Sequence, residues 1–285
     1  MDEVKPLLLL KPKAYARRWW VLMYVSLVMV FIVLSWNTWG PISQSVEYGF
    51  GWDNSIIADI LTVGRIGAFC SIIPLSYLAD MKGIRYAMIT STTMVLAGYG
   101  FRCAINQSTS TWPALLGQIF VGSGMGIAYS GPVAMSAAWF PPKERATATS
   151  ITVMCTYFGY GMAYIIHPLL VSTPVFGEDV SSYWNTNQTE RINYTDHNLS
   201  TAATLTNGSS GKIVLNKDKI QEETMTMTYI ETVIAAVLVV VGVTLLPNVP
   251  PSPPSYSANA VKMGYTRVFL HVKRKKLDGL DFLVS

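Results

Sequence analysis

Six stretches of the chain are apolar for long enough to cross a lipid bilayer, and nothing else in the sequence restricts the fold as much. Crossing about 30 Å of hydrocarbon takes about 20 mostly apolar residues. No water is available there to pair with the backbone, so each stretch must bond internally, as a helix. The windows are residues 19–42, 55–79, 84–104, 114–140, 147–171 and 227–247. The first is too long for a cleaved signal peptide, and no small-residue cleavage site follows it before Trp36, so it is expected to remain. Composition agrees: charged residues make up 13% of the chain, about half the ~25% of a soluble domain. That is too little charge to cover a soluble surface, which argues against a cytosolic enzyme, a nucleic-acid binder, a disordered chain and a secreted disulfide scaffold. Cys70, Cys103 and Cys155 lie in or beside apolar segments without metal-ligand spacing and read as packing residues. There is no nucleophile–base set, phosphate-cradling loop or metal cluster, so neither enzyme activity nor a cofactor is expected.

Orientation follows from the basic residues. With the N-terminus in the cytosol, most Lys and Arg fall on the cytosolic side; Arg102, Arg191, Lys212, Lys217 and Lys219 fall opposite, and Arg65 lies within a span. Five N-x-[ST] sequons, at Asn106, Asn187, Asn193, Asn198 and Asn207, all land on the non-cytosolic side, where glycosylation happens. The expected organisation is a cytosolic tail (1–18), five transmembrane helices (19–171), a glycosylated and largely disordered lumenal loop (172–226), a sixth helix (227–247), and a Pro-rich then basic cytosolic tail (248–285). The basic cluster at 273–276 is either a solvated charge run or a contact for anionic lipid headgroups.

Residues 76–85 read Ser-Tyr-Leu-Ala-Asp-Met-Lys-Gly-Ile-Arg. A glycine beside an acid and a base makes a tight turn whose charges can hold one conformation shut. Asp80, Gly83 and Arg85, with Glu144 and Arg145 on the next cytosolic loop, are the expected gate. The loop resembles the signature of the major facilitator superfamily, departing from it at Ser76, Met81 and Ile84. The resemblance implies an all-α membrane protein whose six helices form one half, the N-terminal bundle, of a fold normally built from two. Where that pattern has an arginine in the fourth helix, this chain has Gln118; Gly122, Gly124 and Gly126 after it read chiefly as close helix packing. Arg17-Arg-Trp19, the run Trp36-Asn-Thr-Trp-Gly-Pro-Ile42 and the stretch Trp139-Phe-Pro-Pro-Lys-Glu-Arg-Ala-Thr-Ala-Thr149 narrow the resemblance to solute carrier family 49, the feline leukaemia virus subgroup C receptor-related transporters, and within it to a lysosomal member.

That resemblance implies transport of a small metabolite such as haem, a choline-like amine or a pyridoxine-type vitamin, by alternating access and with a proton gradient as a candidate driving force. Trp36, Asn37 and Trp39 are either interfacial anchors or substrate contacts at a partly unwound helix end, where an aromatic face can hold an organic cation. Tyr157, Tyr160, Tyr164 and His167 share one face of the fifth helix by spacing; packing, substrate contact and, for His167, titration in an acidic lumen are open readings. Gln118 completes the candidate substrate set. Arg65 either neutralises a substrate anion or pairs with Asp59 or Glu231. Glu3, Leu7 and Leu8 match an acidic dileucine sorting signal, and Tyr265 with Val268 a tyrosine-based one, so adaptor proteins are expected partners beside membrane lipid, substrate and protons. A lysosomal membrane is the first expected location and the plasma membrane the second. The competing reading is a truncated, non-transporting protein that binds a second copy or a full-length transporter, because the sequence carries no seventh span.

Overall fold

The computed structural model describes residues 15–105, 111–175 and 216–248. The sorting residues Glu3, Leu7, Leu8, Tyr265 and Val268, and the sequons Asn106, Asn187, Asn193, Asn198 and Asn207, lie outside the described residues. Within them the chain forms eight helices and no strand: α1 (Arg17–Trp36), α2 (Ser43–Phe50), α3 (Asn54–Lys82), α4 (Ile84–Arg102), α5 (Trp112–Met125), α6 (Ile127–Trp139), α7 (Pro142–Leu170) and α8 (Lys217–Leu245). Of these, α1, α3 and α8 are long and apolar enough to cross a membrane by length and composition.

Of the boundaries that differ from the apolar windows, three have a local reason. The first window extends to Ile42, but α1 stops at Trp36, and the turn that follows carries Gly40 and Pro41. Thr38 Oγ1 donates to the Ser35 carbonyl at 2.8 Å, closing one of the carbonyls a helix end leaves open. The fourth window is two helices, α5 and α6, meeting at Gly126. The Gly126 N–H reaches back only to Ser123 at 3.4 Å, and Pro132 inside α6 removes another donor from the ladder. The last helix starts at Lys217, inside the segment expected to be loop, because apolar contacts reach further than the apolar window: buried Ile220 packs on Gly49 of α2.

Near one end, Arg18 of α1 meets Glu144 of α7 at 3.0 Å, and Arg85 of α4 donates to the Val243 carbonyl of α8 at 2.6 Å. The turn between α3 and α4 is Gly83, whose φ of +98° leaves no room for a side chain, since a Cβ would meet Asn248 Oδ1 at 2.8 Å. Arg17, Arg18, Lys82, Arg85, Lys143 and Arg145 all gather at this end.

In the middle, α1 is the most enclosed of the three candidate spans, with Val21, Val25, Val28, Met29 and Ile32 inaccessible and one stripe of Trp19, Met23 and Leu27 left exposed. It packs along α7, while α3 lies against α5, α5 against α4, and α4 against α8. Small residues set these crossings: Gly122 of α5 sits on the Gly64 backbone of α3, where a methyl on Gly122 would have nowhere to go, and a methyl on Gly64 would press on the Gln118 side chain. A second apolar core closes the far end, where Trp39, Ile42, Val46, Phe50 and Trp52 pack with Ile57, Ile60, Ile220 and Met227. Helix α2 belongs to this cap, held by Gln221 Nε2 donating to the Gly49 carbonyl at 2.7 Å and by Ser45 Oγ donating to the Ser172 carbonyl at 3.0 Å.

Candidate functional site

The end of α1 leaves carbonyl groups with no partner inside the helix, at the negative end of its dipole. Two buried side chains meet them. Arg102, at the last turn of α4 and 1% exposed, donates from Nη2 to the Ser35 carbonyl at 3.2 Å and from Nη1 to Thr38 Oγ1 at 3.3 Å. Gln118 of α5 accepts from the same Nη2 through Oε1 and donates from Nε2 to the Trp36 carbonyl at 3.1 Å. The guanidinium also lies over the rings of Trp39 and Tyr99, 5.3 and 4.9 Å from their centroids. Sequence reading counted Arg102 among the charges of the non-cytosolic side; in the structure it is the one fully buried Lys or Arg among the described residues. It enters from α4 and rests on Gln118, the position at which the superfamily pattern would supply an arginine. The available signal was the apolar run around it, which made a solvated arginine improbable.

A second buried pair lies beside the first. His167 Nε2 of α7 is 3.0 Å from Glu231 Oε1 of α8, and the two residues are 0% and 5% exposed. Tyr99 sits between the pair and Arg102 and feels the charge of both Glu231 and Arg102. Five helices therefore contribute to one polar core: Ser35 and the Trp36 carbonyl from α1, Tyr99 and Arg102 from α4, Gln118 from α5, His167 from α7 and Glu231 from α8.

Next to this core, an aromatic cluster opens outward. The Trp36 ring meets Tyr160 edge-on at 6.2 Å, and Tyr160 meets Tyr157 at 6.3 Å. Tyr129 of α6, which the sequence reading did not single out, acts electrostatically on Tyr160. The Tyr164 hydroxyl and Asn37 Oδ1 both lie within 4 Å of the point where a Gly40 side chain would begin. Tyr157, Tyr164 and Tyr129 are exposed and Asn37 is buried. The expected stripe on α7 thus divides. At about 100° per residue, Tyr160 and His167 turn about 60–80° away from Tyr157 toward the core, while Tyr164 stays within about 20° of it. Trp39 leaves the cluster as well, packing on Trp52 at 5.8 Å in the cap. Of the candidate contacts, Trp36, Asn37, Tyr157, Tyr160 and Tyr164 come together; Gln118 and His167 stand behind them in the polar core.

Residues 7–177 match the family model described as Major Facilitator Superfamily. The chain belongs to the major facilitator superfamily. Its curated relatives include the solute carrier family 49 member 4 homolog of Xenopus tropicalis, 29% identical over 281 residues, 96% of this chain and 53% of the relative. The choline/ethanolamine transporter FLVCR1 of Felis catus is 28% identical over 157 residues, covering 55% of this chain and 28% of its own. The chain spans about half the length of the family 49 member 4 relatives it matches. Among solved structures, a bacterial homolog of the human lysosomal transporter Spinster, inward-facing and occupied, superposes with a TM-score of 0.51 over 85% of this chain and 47% of its own, at 15% identity. That likeness supports the superfamily fold.

Against the superfamily's signature loop, Asp80, Arg85 and Glu144 do not pair with one another among the described residues. Glu144 pairs with Arg18, not with Asp80 or Arg85. Arg18 in turn lies over Trp19 and Phe140, 5.6 and 5.5 Å from the ring centroids. Arg85 caps α8, and Arg145 Nε donates to the Phe140 carbonyl at 3.1 Å. Asp80 is exposed. Arg65 also departs from expectation: Glu231 is taken by His167, and no ion pair joins Arg65 to Asp59 among the described residues. Arg65 is exposed on a face of α3 shared with Ile66, Phe69 and Ile73.

Proposed function

We propose that this chain is a secondary transporter of a small organic metabolite, working by alternating access in a lysosomal membrane and coupled to protons. It spans the bilayer six times, with α5 and α6 together making one span and both termini cytosolic. The observation that carries this reading is the aromatic cluster at the end of α1. Trp36, Tyr160, Tyr157 and Tyr164 present ring faces and hydroxyls around Asn37, at a helix end braced by Arg102 and Gln118. Such faces hold an organic ammonium or stack on a pyridine-type ring, and the polar tips fix its orientation. An organic amine or a vitamin such as pyridoxine suits that chemistry, and the naming of one relative as a choline/ethanolamine transporter supports the amine class. Gating falls to the opposite end, where Arg18–Glu144 ties α1 to α7 and Arg85 ties α4 to α8; Asp80 stands ready to take a partner in another conformation.

Uptake into proteoliposomes with an imposed pH gradient tests the reading, with pyridoxine, choline and haem as probes. Saturable uptake of one of them, lost in Trp36→Ala, is the expected result. No uptake above empty vesicles by correctly inserted protein would sink autonomous transport. A second reading has its own support: Arg65 is exposed on an apolar face of a helix long enough to cross a membrane, where a lone charge is costly. A partner bundle carrying an acid, from a second copy or a full-length transporter, would cover it.

A further inference from the structure

The polar core contains more hydrogen-bonding capacity than the contacts in it use. His167 Nδ1, Glu231 Oε2, Ser35 Oγ and the Tyr99 hydroxyl are all buried and make no hydrogen bond among the described residues. They come from four different helices, and Ser35 and Glu231 both approach the Tyr99 hydroxyl. A buried polar atom left without a partner is costly, so structural pairs commonly have their remaining lone pairs satisfied. Here the unmet atoms surround one His–Glu pair, which is the arrangement a site needs if its hydrogen bonds change with its state.

We propose that His167 and Glu231 form a proton-binding site, with a single proton as the ligand. In the unloaded state the imidazole is neutral: Nε2–H donates to Glu231 Oε1, and the Nδ1 lone pair is free. Loading forms one N–H bond at Nδ1 and breaks none within the protein. The bond at Nε2 then becomes charge-assisted, between imidazolium and carboxylate, and is roughly twice as strong. Glu231 has Arg102 toward one side, across Tyr99, and His167 on the other. A metal ion would meet a single carboxylate with a permanent cation behind it, so a proton on the imidazole is the cation that fits.

Arg102 is the one other buried charge at this level among the described residues. From α4 come Tyr99, Arg102 and Cys103, whose Sγ is 3.3 Å from Thr232 Oγ1; α1 brings Ser35, and its Tyr24 donates to the Leu238 carbonyl of α8, about two turns from Glu231. From α6, Tyr129 faces Tyr160, two turns along α7 from His167. Helix α2, which carries Glu47, meets α8 at Gln221, almost three turns from Glu231 at about 3.6 residues per turn. On α8 itself, Glu223 is engaged with Ser172 and Lys219. Loading therefore acts on one joint. It tightens α7 to α8, which otherwise touch little. Unloading leaves Glu231 to the attraction of Arg102, the residue that braces the α1 end through Gln118. The site's place in a transport cycle rests on the transporter reading; the binding of the proton does not.

Solid-state or solution 15N spectra of the full chain in lipid nanodiscs, labelled at its three histidines, test the site directly. Substitutions His197→Gln and His271→Gln assign the remaining signal to His167 without touching the pair. We expect His167 to carry one N–H at pH 7.5 and two at pH 5. In Glu231→Gln, which removes the carboxylate that stabilises the imidazolium, it should keep one N–H at pH 5. A His167 that stays singly protonated at pH 5 in the parent protein overturns the proposal, and so does double protonation unchanged by Glu231→Gln. The parent spectra alone decide the first point if the variant fails to fold. An intact titration with no uptake in proteoliposomes would count against transport and leave the proton site standing.

Discussion

Arg102 concentrates the energetics of the polar core in one side chain. It satisfies the Ser35 carbonyl, Thr38 and Gln118, and lies over two rings. Removing one partner from a buried charge network leaves the others uncompensated, at a cost of about 3–5 kcal/mol. Arg102→Ala should therefore lower the thermal unfolding temperature of the detergent-purified protein sharply. Arg102→Lys keeps the charge but loses the fork that reaches two helices, and should fall between alanine and the parent. Equal stability of the alanine variant and the parent would show that the core is not organised around this residue.

At the scale of elements, the bundle is tied at its basic end by contacts between helices far apart in sequence. Arg18–Glu144 is the clearest, joining the start of α1 to the start of α7. Glu144 is partly open to solvent, so the pair is a latch of small energy. A double-mutant cycle on Arg18→Ala and Glu144→Ala, read by thermal unfolding at low salt, should give a coupling of about 0.5–1 kcal/mol that weakens as salt is added. A coupling indistinguishable from zero would mean that Arg18 is held by Trp19 and Phe140 alone. The far end is held differently: α2 and the residues after α7 are clasped by Gln221, Glu223 and Asn216 through backbone and side-chain hydrogen bonds. This clasp brings Val175 and Asn216 together, so the 40 residues numbered 176–215 begin and end at one place on the bundle.

For the whole molecule, the decisive question is which face of the membrane that clasped end occupies. The basic residues gather at the opposite end, which the charge rule assigns to the cytosol. If that is right, the sequons sit with the clasped end in the lumen. Expression in mammalian cells should then give a glycoprotein whose gel mobility rises stepwise as Asn106, Asn187, Asn193, Asn198 and Asn207 are changed to Gln, singly and together. A chain insensitive to glycosidase in every form would reverse the orientation.

The apolar windows were enough to place most of the helices, because a backbone in hydrocarbon must pair within its own segment and length alone then marks the span. The signature loop and the tryptophan run identified the superfamily for the same reason that they are local: each is carried by neighbouring residues. The sequence also brought forward Trp36, Asn37 and the α7 tyrosines, which the fold does gather. It did not show that Arg102 is buried, that Gln118 supports it, or that Glu231 belongs to His167 and not to Arg65. Those assignments join α1, α4, α5, α7 and α8 across separations of 16 to 82 residues. They depend on how the helices rotate about their axes, and rotation is fixed by packing such as Gly122 on Gly64. A sequence states which charges must find partners in a low-dielectric interior; only the tertiary arrangement brings particular partners within about 3 Å.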